Sequence, residues 1–226
     1  IINFDDELGR EISEECQKKK LSYGFSPEAD ISATNIHYSM RGMHFDLVYK
    51  NEHYPIDTKL IGHFNVSNIL AAVAVLLDMN ISMSIIQNLI ASVEPVEGRM
   101  ELFHNAERNI SAIVDFAHAP NSIEQVIKAA RLLTKGTITV VTGAVGDGDI
   151  EKRPMMGEVT VRKADRAIFT TDQPYSEDPK TIITEMIETL SDNEVYQIIV
   201  SREEAIKYAL DTAGAFDVVL ILGKGR

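Results

Sequence analysis

The chain has 226 residues, a net charge of −12 and 45% hydrophobic residues, a length and composition that allow one large or two small globular domains and argue against an extended nucleic-acid or anionic-membrane surface. A single cysteine, Cys16, excludes an internal disulfide framework and fits a reducing, cytoplasmic setting. No apolar run approaches the roughly 20 residues of a membrane span, and the first residues, IINFDDELGR, lack the features of a signal peptide.

In chain order, residues 1–4 read as a strand, and Asp5-Asp6 offers a cap for a helix over about 6–19. Residues 33–60 alternate with a period near two, which predicts antiparallel strands joined at Gly42 and at Asn51-Glu52. The stretch GHFNVSN, 62–68, opens an apolar helix to about 78, and a second helix covers about 82–92. The turn-rich Glu94–Gly98 is the expected domain boundary. Both ends of the chain, an opening strand and a final strand running into a Gly-rich turn, read as cut from something longer.

Beyond the boundary the pattern changes. A hairpin-like region over 99–114 ends in a strand. Helices then follow near 121–134, 154–163, 179–190 and 201–213, with strands at 137–142, 166–170, 196–200 and 217–222. Short apolar strands alternating with helices predict a mostly parallel α/β sheet covered on both faces, with ligands at the carboxyl ends of the strands. The polar groups at those ends are Asp115, His118, the loop 143–149, Asp172–Tyr175 and Gly223–Arg226.

Each motif taken alone supports two readings. Asn65 and Asn68, three residues apart, present amides that match the donor–acceptor edge of adenine, or Asn65 simply caps its helix. Arg99 offers a bidentate phosphate contact or a surface ion pair. Asp115 suits a pair of ribose hydroxyls, or is a structural carboxylate satisfied by backbone N–H groups, and His118 alone fits a packed histidine. The 143–149 loop matches neither GxGxxG nor a P-loop; its glycines allow close approach of a ligand, or it is a plain strand-to-helix connection. Asn121 is positioned to cap the helix after His118, and Ser176 or Asp178 the one after the polar loop 170–179, in which Asp172 can pair with an ammonium group. The six histidines have no metal-ligand spacing, and no metal ligands are assigned.

In order, the pieces are far more specific: INxDD, GxFNVSNxLAA, EGRME, VDFAHxPxS, a Gly/Asp-rich loop ending KRPxMG, TxDxPxSEDP and GKGR. Together they resemble the Mur ligase family, in its UDP-N-acetylmuramoyl-tripeptide synthetase branch, over essentially the whole chain. The resemblance implies that residues 1–95 are the C-terminal portion of the P-loop ATPase-like central domain and 96–226 the Rossmann-like, amino-acid-binding C-terminal domain. The family's P-loop, its catalytic groups and its Mg²⁺ ligands would then lie upstream of Ile1, and this stretch alone would not turn over ATP.

The implied reaction is ATP-dependent addition of a third amino acid to UDP-MurNAc-L-Ala-D-Glu through an acyl phosphate, by a cytoplasmic, monomeric enzyme of peptidoglycan synthesis. By resemblance Asn65, Asn68, Arg99, Asp115 and His118 contact ATP. Gly148, Asp149, Lys152, Arg153, Asp172, Gln173, Pro174, Tyr175, Gly223 and Lys224 line the amino-acid pocket. Members that add diaminopimelate usually carry DNPR where this chain has Asp172-Gln173-Pro174-Tyr175, and an arginine where Gly148 stands. Neither Tyr175 nor Gly148 can grip a distal carboxylate, which favours lysine or another diamino acid lacking that group. The alternatives are a folylpolyglutamate or cyanophycin synthetase-like ligase and a non-enzymatic nucleotide- or amino-acid-binding module.

Overall fold

The computed structural model describes residues 1–191 and 193–224. The chain forms two compact units, Ile1–Glu94 and Pro95–Arg226.

In the first unit, β1 (Ile2–Asn3), β2 (Ser22–Gly24), β3 (Ile31–Ser39), β4 (Gly42–Tyr49) and β5 (Glu52–Thr58) make one sheet in sequence order. β1, β2 and β3 run parallel, whereas β3, β4 and β5 form an antiparallel meander. The alternation read from the sequence is visible on β4, where Phe45 and Leu47 are buried between more exposed neighbours. The β4–β5 turn is Lys50-Asn51, both with positive φ (52° and 62°), as a two-residue hairpin that follows the strand twist requires. It lies one residue earlier than expected.

Helix α1 (Glu7–Glu15) starts where Asp6 accepts the Gly9 N–H at 3.1 Å. It stops four residues short of the expected end. The Lys20 ammonium sits on the carbonyls of Ser13 and Cys16, satisfying groups a longer helix would have bonded internally. The chain then turns back into β2, a strand that the lysine-rich sequence conceals. Helices α2 (His63–Asp78) and α3 (Met83–Ser92) cover the sheet. On α2, Val66, Ile69, Leu70, Val73 and Ala74 are buried at the spacing of one helical face, against Ile31, Phe45, Leu47 and Ile56.

The second unit holds a six-stranded sheet. Its strands are β6 (Glu101–Asn105), β7 (Ile110–Asp115), β8 (Ile138–Thr142), β9 (Arg166–Phe169), β10 (Tyr196–Ile198) and β11 (Val218–Leu222), in the order β10-β9-β8-β11-β7-β6. All pairs are parallel except the β6–β7 hairpin at one edge. Helices α4 (Pro120–Leu133), α5 (Lys152–Lys163) and α6 (Pro179–Ile187) pack side by side, with α4 and α5 against the sheet. Ala205 and Ala209 of α7 (Arg202–Thr212) meet Val141, Ile168 and Val219 of the three central strands. The last strand, β11, returns between β7 and β8, so the loops after β7, β8, β9 and β11 gather at one end of the sheet. No helix among the described residues is long and apolar enough to cross a membrane.

Gly42 opens β4 with φ +128°, and a Cβ there would lie 1.9 Å from the Thr58 carbonyl oxygen. Gly42→Ala should therefore destabilise the protein by about 1–3 kcal/mol through backbone strain and the clash, read as a lower urea midpoint at unchanged slope.

Candidate functional site

A cavity of about 540 Å³ lies within the second unit at the carboxyl ends of its strands. Its walls come from five segments. Glu97, Gly98 and Arg99 precede β6, Phe116 and His118 follow β7, and Val145 and Gly148 follow β8 with Lys152 at the start of α5. Asp172, Gln173 and Tyr175 follow β9, and Gly223 and Lys224 follow β11.

One wall is an aromatic and cationic step. The Arg99 guanidinium stands 4.7 Å from the centre of the Phe116 ring, within cation–π range. His118 meets the same ring edge-on at 5.0 Å and bonds the Phe116 carbonyl through Nδ1 at 3.0 Å. That contact fixes Nδ1 as the N–H donor and leaves Nε2 as the other ring nitrogen.

The opposite wall is built from two loops clamped from behind. Arg153, wholly buried, makes a bidentate pair with Glu177 (2.7 Å on each arm), a further bond to Glu185 at 2.5 Å, and one to the Val145 carbonyl at 3.1 Å. Glu177 also accepts the Asp147 N–H at 2.5 Å, and the Ser176 hydroxyl donates to Asp147 at 2.6 Å. The two loops touch backbone to backbone. The Gly146 N–H donates to the Gln173 carbonyl at 2.8 Å, and a Cβ on Gly146 would lie 2.0 Å from the Pro174 oxygen. Paired charge holds Glu177 down at about 2 and raises Arg153 still further above its ordinary range.

Asp172 is the acidic group of the β9 loop in the cavity. Its Oδ2 is enclosed and has no hydrogen-bond partner. Burial pushes its carboxyl up, against the opposing pull of Arg202, Lys224 and His118. The cavity thus presents several cations around a half-buried carboxylate.

The sequence-predicted residues divide as follows. Arg99, His118, Gly148, Lys152, Asp172, Gln173, Tyr175, Gly223 and Lys224 share this cavity. Arg153 does not line it but stands behind, because its charge is spent on Glu177 and Glu185. Asp149 and Pro174 also lie outside its lining; Asp149 accepts the Glu151 N–H at 3.1 Å at the entry to α5. Asp115 is 7% exposed and accepts N–H bonds from Met100 and Ala117, each at 2.8 Å. These bonds match the structural reading of Asp115 and take one lone pair on each carboxylate oxygen, and burial raises its carboxyl despite both. The glycines of the 143–149 loop divide likewise: Gly143 and Gly146 approach neighbouring backbone, whereas a Cβ on Gly148 would make only ordinary contacts, at 3.7 Å and beyond.

Asn65 and Asn68 belong to the first unit. Gly62, with φ 104°, holds the cap position of α2, so Asn65 is inside the helix and not its cap. Asn65 Nδ2 donates to the Ile61 carbonyl at 2.8 Å and its Oδ1 accepts from Asn68 Nδ2 at 3.1 Å, which orients the exposed Asn68 amide. The cap of α4 is likewise Ala119 rather than Asn121, with the Ser122 hydroxyl accepting the Ala119 N–H at 3.1 Å. Asp178, as expected, caps α6. Gly225 and Arg226 of the final turn lie outside the described residues. Sequence reasoning missed Phe116 as a wall, Glu177 and Glu185 as the partners of Arg153, and Arg202. Phe116, inside VDFAHxPxS, and Glu177, inside SEDP, stood within quoted motifs; Glu185 and Arg202 did not.

Loss of Arg153 leaves two carboxylates without their buried partner. Arg153→Met should cost about 3 kcal/mol of stability, seen in chemical denaturation. Glu177 is depressed to about 2 in the folded state from an ordinary 4.5, so its stabilisation is complete above pH 4.5 and is lost as pH falls towards 2. Melting curves across that window should fall less steeply for Glu177→Gln than for the unsubstituted protein, and parallel falls would show that the pair is not the source.

The family model described as "Mur ligase, glutamate ligase domain" matches residues 98–225, and "Mur ligase middle domain" matches 1–76. A UDP-N-acetylmuramoyl-L-alanyl-D-glutamate–2,6-diaminopimelate ligase of Geobacillus kaustophilus (strain HTA426) is 42% identical over all of this chain and 46% of its own length. A Clostridium acetobutylicum protein of the same name, numbered 1, is 37% identical over all of this chain and 47% of its own. The chain spans about half the length of the curated relatives it matches. Among solved structures, a UDP-N-acetylmuramoyl-L-alanyl-D-glutamate–2,6-diaminopimelate ligase superposes with TM-score 0.66 at 30% identity, over 99% of this chain and 47% of that one. The ADP complex of MurF ligase from Thermotoga maritima superposes with TM-score 0.73 over 98% of this chain and 48% of that one; at 18% identity the likeness is one of fold. With more than half of its residues matched by the glutamate ligase domain and most of the remainder by the middle domain, the chain belongs to the Mur ligase family.

Proposed function

We propose that the full-length protein is an ATP-dependent amide ligase that adds the third amino acid, a diamino acid, to UDP-MurNAc-L-Ala-D-Glu. The observation that carries this reading is the cavity at the strand ends, which gathers Arg99, His118, Lys152 and Lys224 around Asp172. The D-Glu carboxylate takes the γ-phosphoryl group of ATP, the amine of the incoming amino acid attacks the acyl phosphate, and phosphate leaves. Chemistry of this kind depends on positioning and charge neutralisation, which a rigid cationic cavity supplies.

Within it, residues 1–95 act as part of the ATPase domain and 96–226 as the amino-acid-binding domain. Arg99, above the Phe116 ring, suits the phosphate-ribose region of the nucleotide, with His118 beside it. Asn68, oriented by Asn65, suits the adenine edge. Asp172 suits the ammonium of the amino acid, and Lys152, Gln173, Tyr175 and Lys224 complete that side. ATP acts with Mg²⁺ in this reading. Among the described residues no group of three or more His, Cys, Asp or Glu side chains is arranged to hold a metal ion.

The amino acid itself is open to two readings. Relatives at 35–42% identity are named for 2,6-diaminopimelate. Tyr175 and Gly148 share the cavity wall in this chain, and neither can pair with a second carboxylate, which favours lysine or a similar diamino acid. A Cβ on Gly148 would meet nothing closer than 3.7 Å, so the backbone there accepts a side chain. Full-length protein assayed by phosphate release with lysine, ornithine and diaminopimelate separates the readings. Lysine preference is expected, and Gly148→Arg with Tyr175→Arg should shift use towards diaminopimelate by about tenfold or more, the worth of a bidentate pair. A parent that already prefers diaminopimelate would sink the lysine reading; no turnover of any diamino acid would sink the ligase.

A further inference from the structure

Two charged groups in the second unit are enclosed with an atom left unpaired. Asp172 lines the cavity, yet its Oδ2 is buried without a hydrogen-bond partner. Arg202, the first residue of α7, donates from Nη2 to the Leu222 carbonyl at 2.8 Å, while its Nη1 is buried and equally unpartnered. Both groups meet the same strand end. Leu222 closes β11, and a Cβ built on the next residue, Gly223, would lie 2.6 Å from Asp172 Oδ2. An unpaired guanidinium arm and an unpaired carboxylate oxygen therefore flank one peptide of the chain without bonding each other.

Leaving either atom unpaired in a dry interior costs more than a typical net hydrogen bond returns. The two charges meet at this strand end, and the pull of Arg202 offsets part of the burial of Asp172. Gly223 leaves Oδ2 its place, since a Cβ there would lie against it.

We propose that Arg202 is a positioning residue of the site, holding the Asp172 carboxylate in place across the end of β11. Its consequence for turnover rests on the reading that Asp172 receives the ammonium of the incoming amino acid. Arg202 touches no substrate in this scheme. It acts through the end of β11, as the charge that offsets the burial of Asp172. The other charged groups that bear on Asp172 are Lys224, after β11, and His118, after β7. Both are cavity-wall residues, open to ligand and solvent, whereas the Arg202 arm is enclosed. Solvent screening leaves Arg202 the strongest of the three.

The test follows the Asp172 carboxyl carbon by NMR titration in the 226-residue chain. Arg202→Gln should move its titration midpoint up by about one pH unit, and Arg202→Lys should restore most of that shift. In the full-length protein Arg202→Gln should raise KM for the amino acid about tenfold at pH values well below the parent midpoint, leave kcat within about twofold, and converge on the parent above the new midpoint. An unmoved Asp172 midpoint in Arg202→Gln overturns the proposal. Should that variant fail to fold, the unsubstituted chain suffices: the Arg202 guanidinium nitrogens must shift in step with Asp172, and independence of the two overturns it. A shifted midpoint with an unaltered KM upholds the role of Arg202 and removes Asp172 from amine binding.

Discussion

The cavity owes its shape to a guanidinium that never reaches it. Two irregular loops, after β8 and after β9, have to keep a fixed form at the end of a parallel sheet. Arg153 lies between them with no exposed surface, bonded to both arms of Glu177, to Glu185 and to the Val145 carbonyl. A planar fork is suited to this, since one side chain satisfies two carboxylates and a carbonyl in fixed directions. The loops carry Asp147 and Tyr175 at φ 53° and 48°, conformations uncommon for side-chain-bearing residues. The Ser176 and Glu177 contacts to Asp147 hold that geometry, so local strain and buried charge belong to one arrangement.

A chain with net charge −12 nevertheless builds a cavity rich in cations. Arg99 and His118 gather on the Phe116 ring, Lys152 starts α5, and Lys224 follows β11. Each comes from a different connection of the sheet. The strand order β8-β11-β7 brings those connections together, although up to 125 residues separate them in sequence. Local charge density, rather than the balance of the whole chain, governs what such a site attracts. The acidic partner, Asp172, is kept from the surrounding water on one side, which strengthens any interaction it makes with an ammonium group.

The fold-determining patterns were legible because they are periodic. The alternation of β4, the helical spacing of α2 and the strand–helix succession beyond residue 110 each follow from burial of one face or both. Helix ends were less legible where remote contacts set them. The Lys20 bonds that close α1 and the glycine that caps α2 are decided by geometry that side-chain preferences do not report.

By itself the sequence determined the α/β class of the second unit, the membership of the family and most of the residues that line the cavity, since these rest on short motifs with fixed local roles at strand ends. Tertiary structure alone decided what each polar group is used for. Arg153 reads as a ligand contact, yet its charge is consumed by Glu177 and Glu185, and only the fold brings the N–H groups of Met100 and Ala117 to Asp115. Arg202 carried no motif and gained its place beside Leu222 only because β11 returns to the centre of the sheet. The reason is physical: a side chain's chemistry is local, but the partner that uses it is chosen by burial, and burial depends on strands that are distant in sequence.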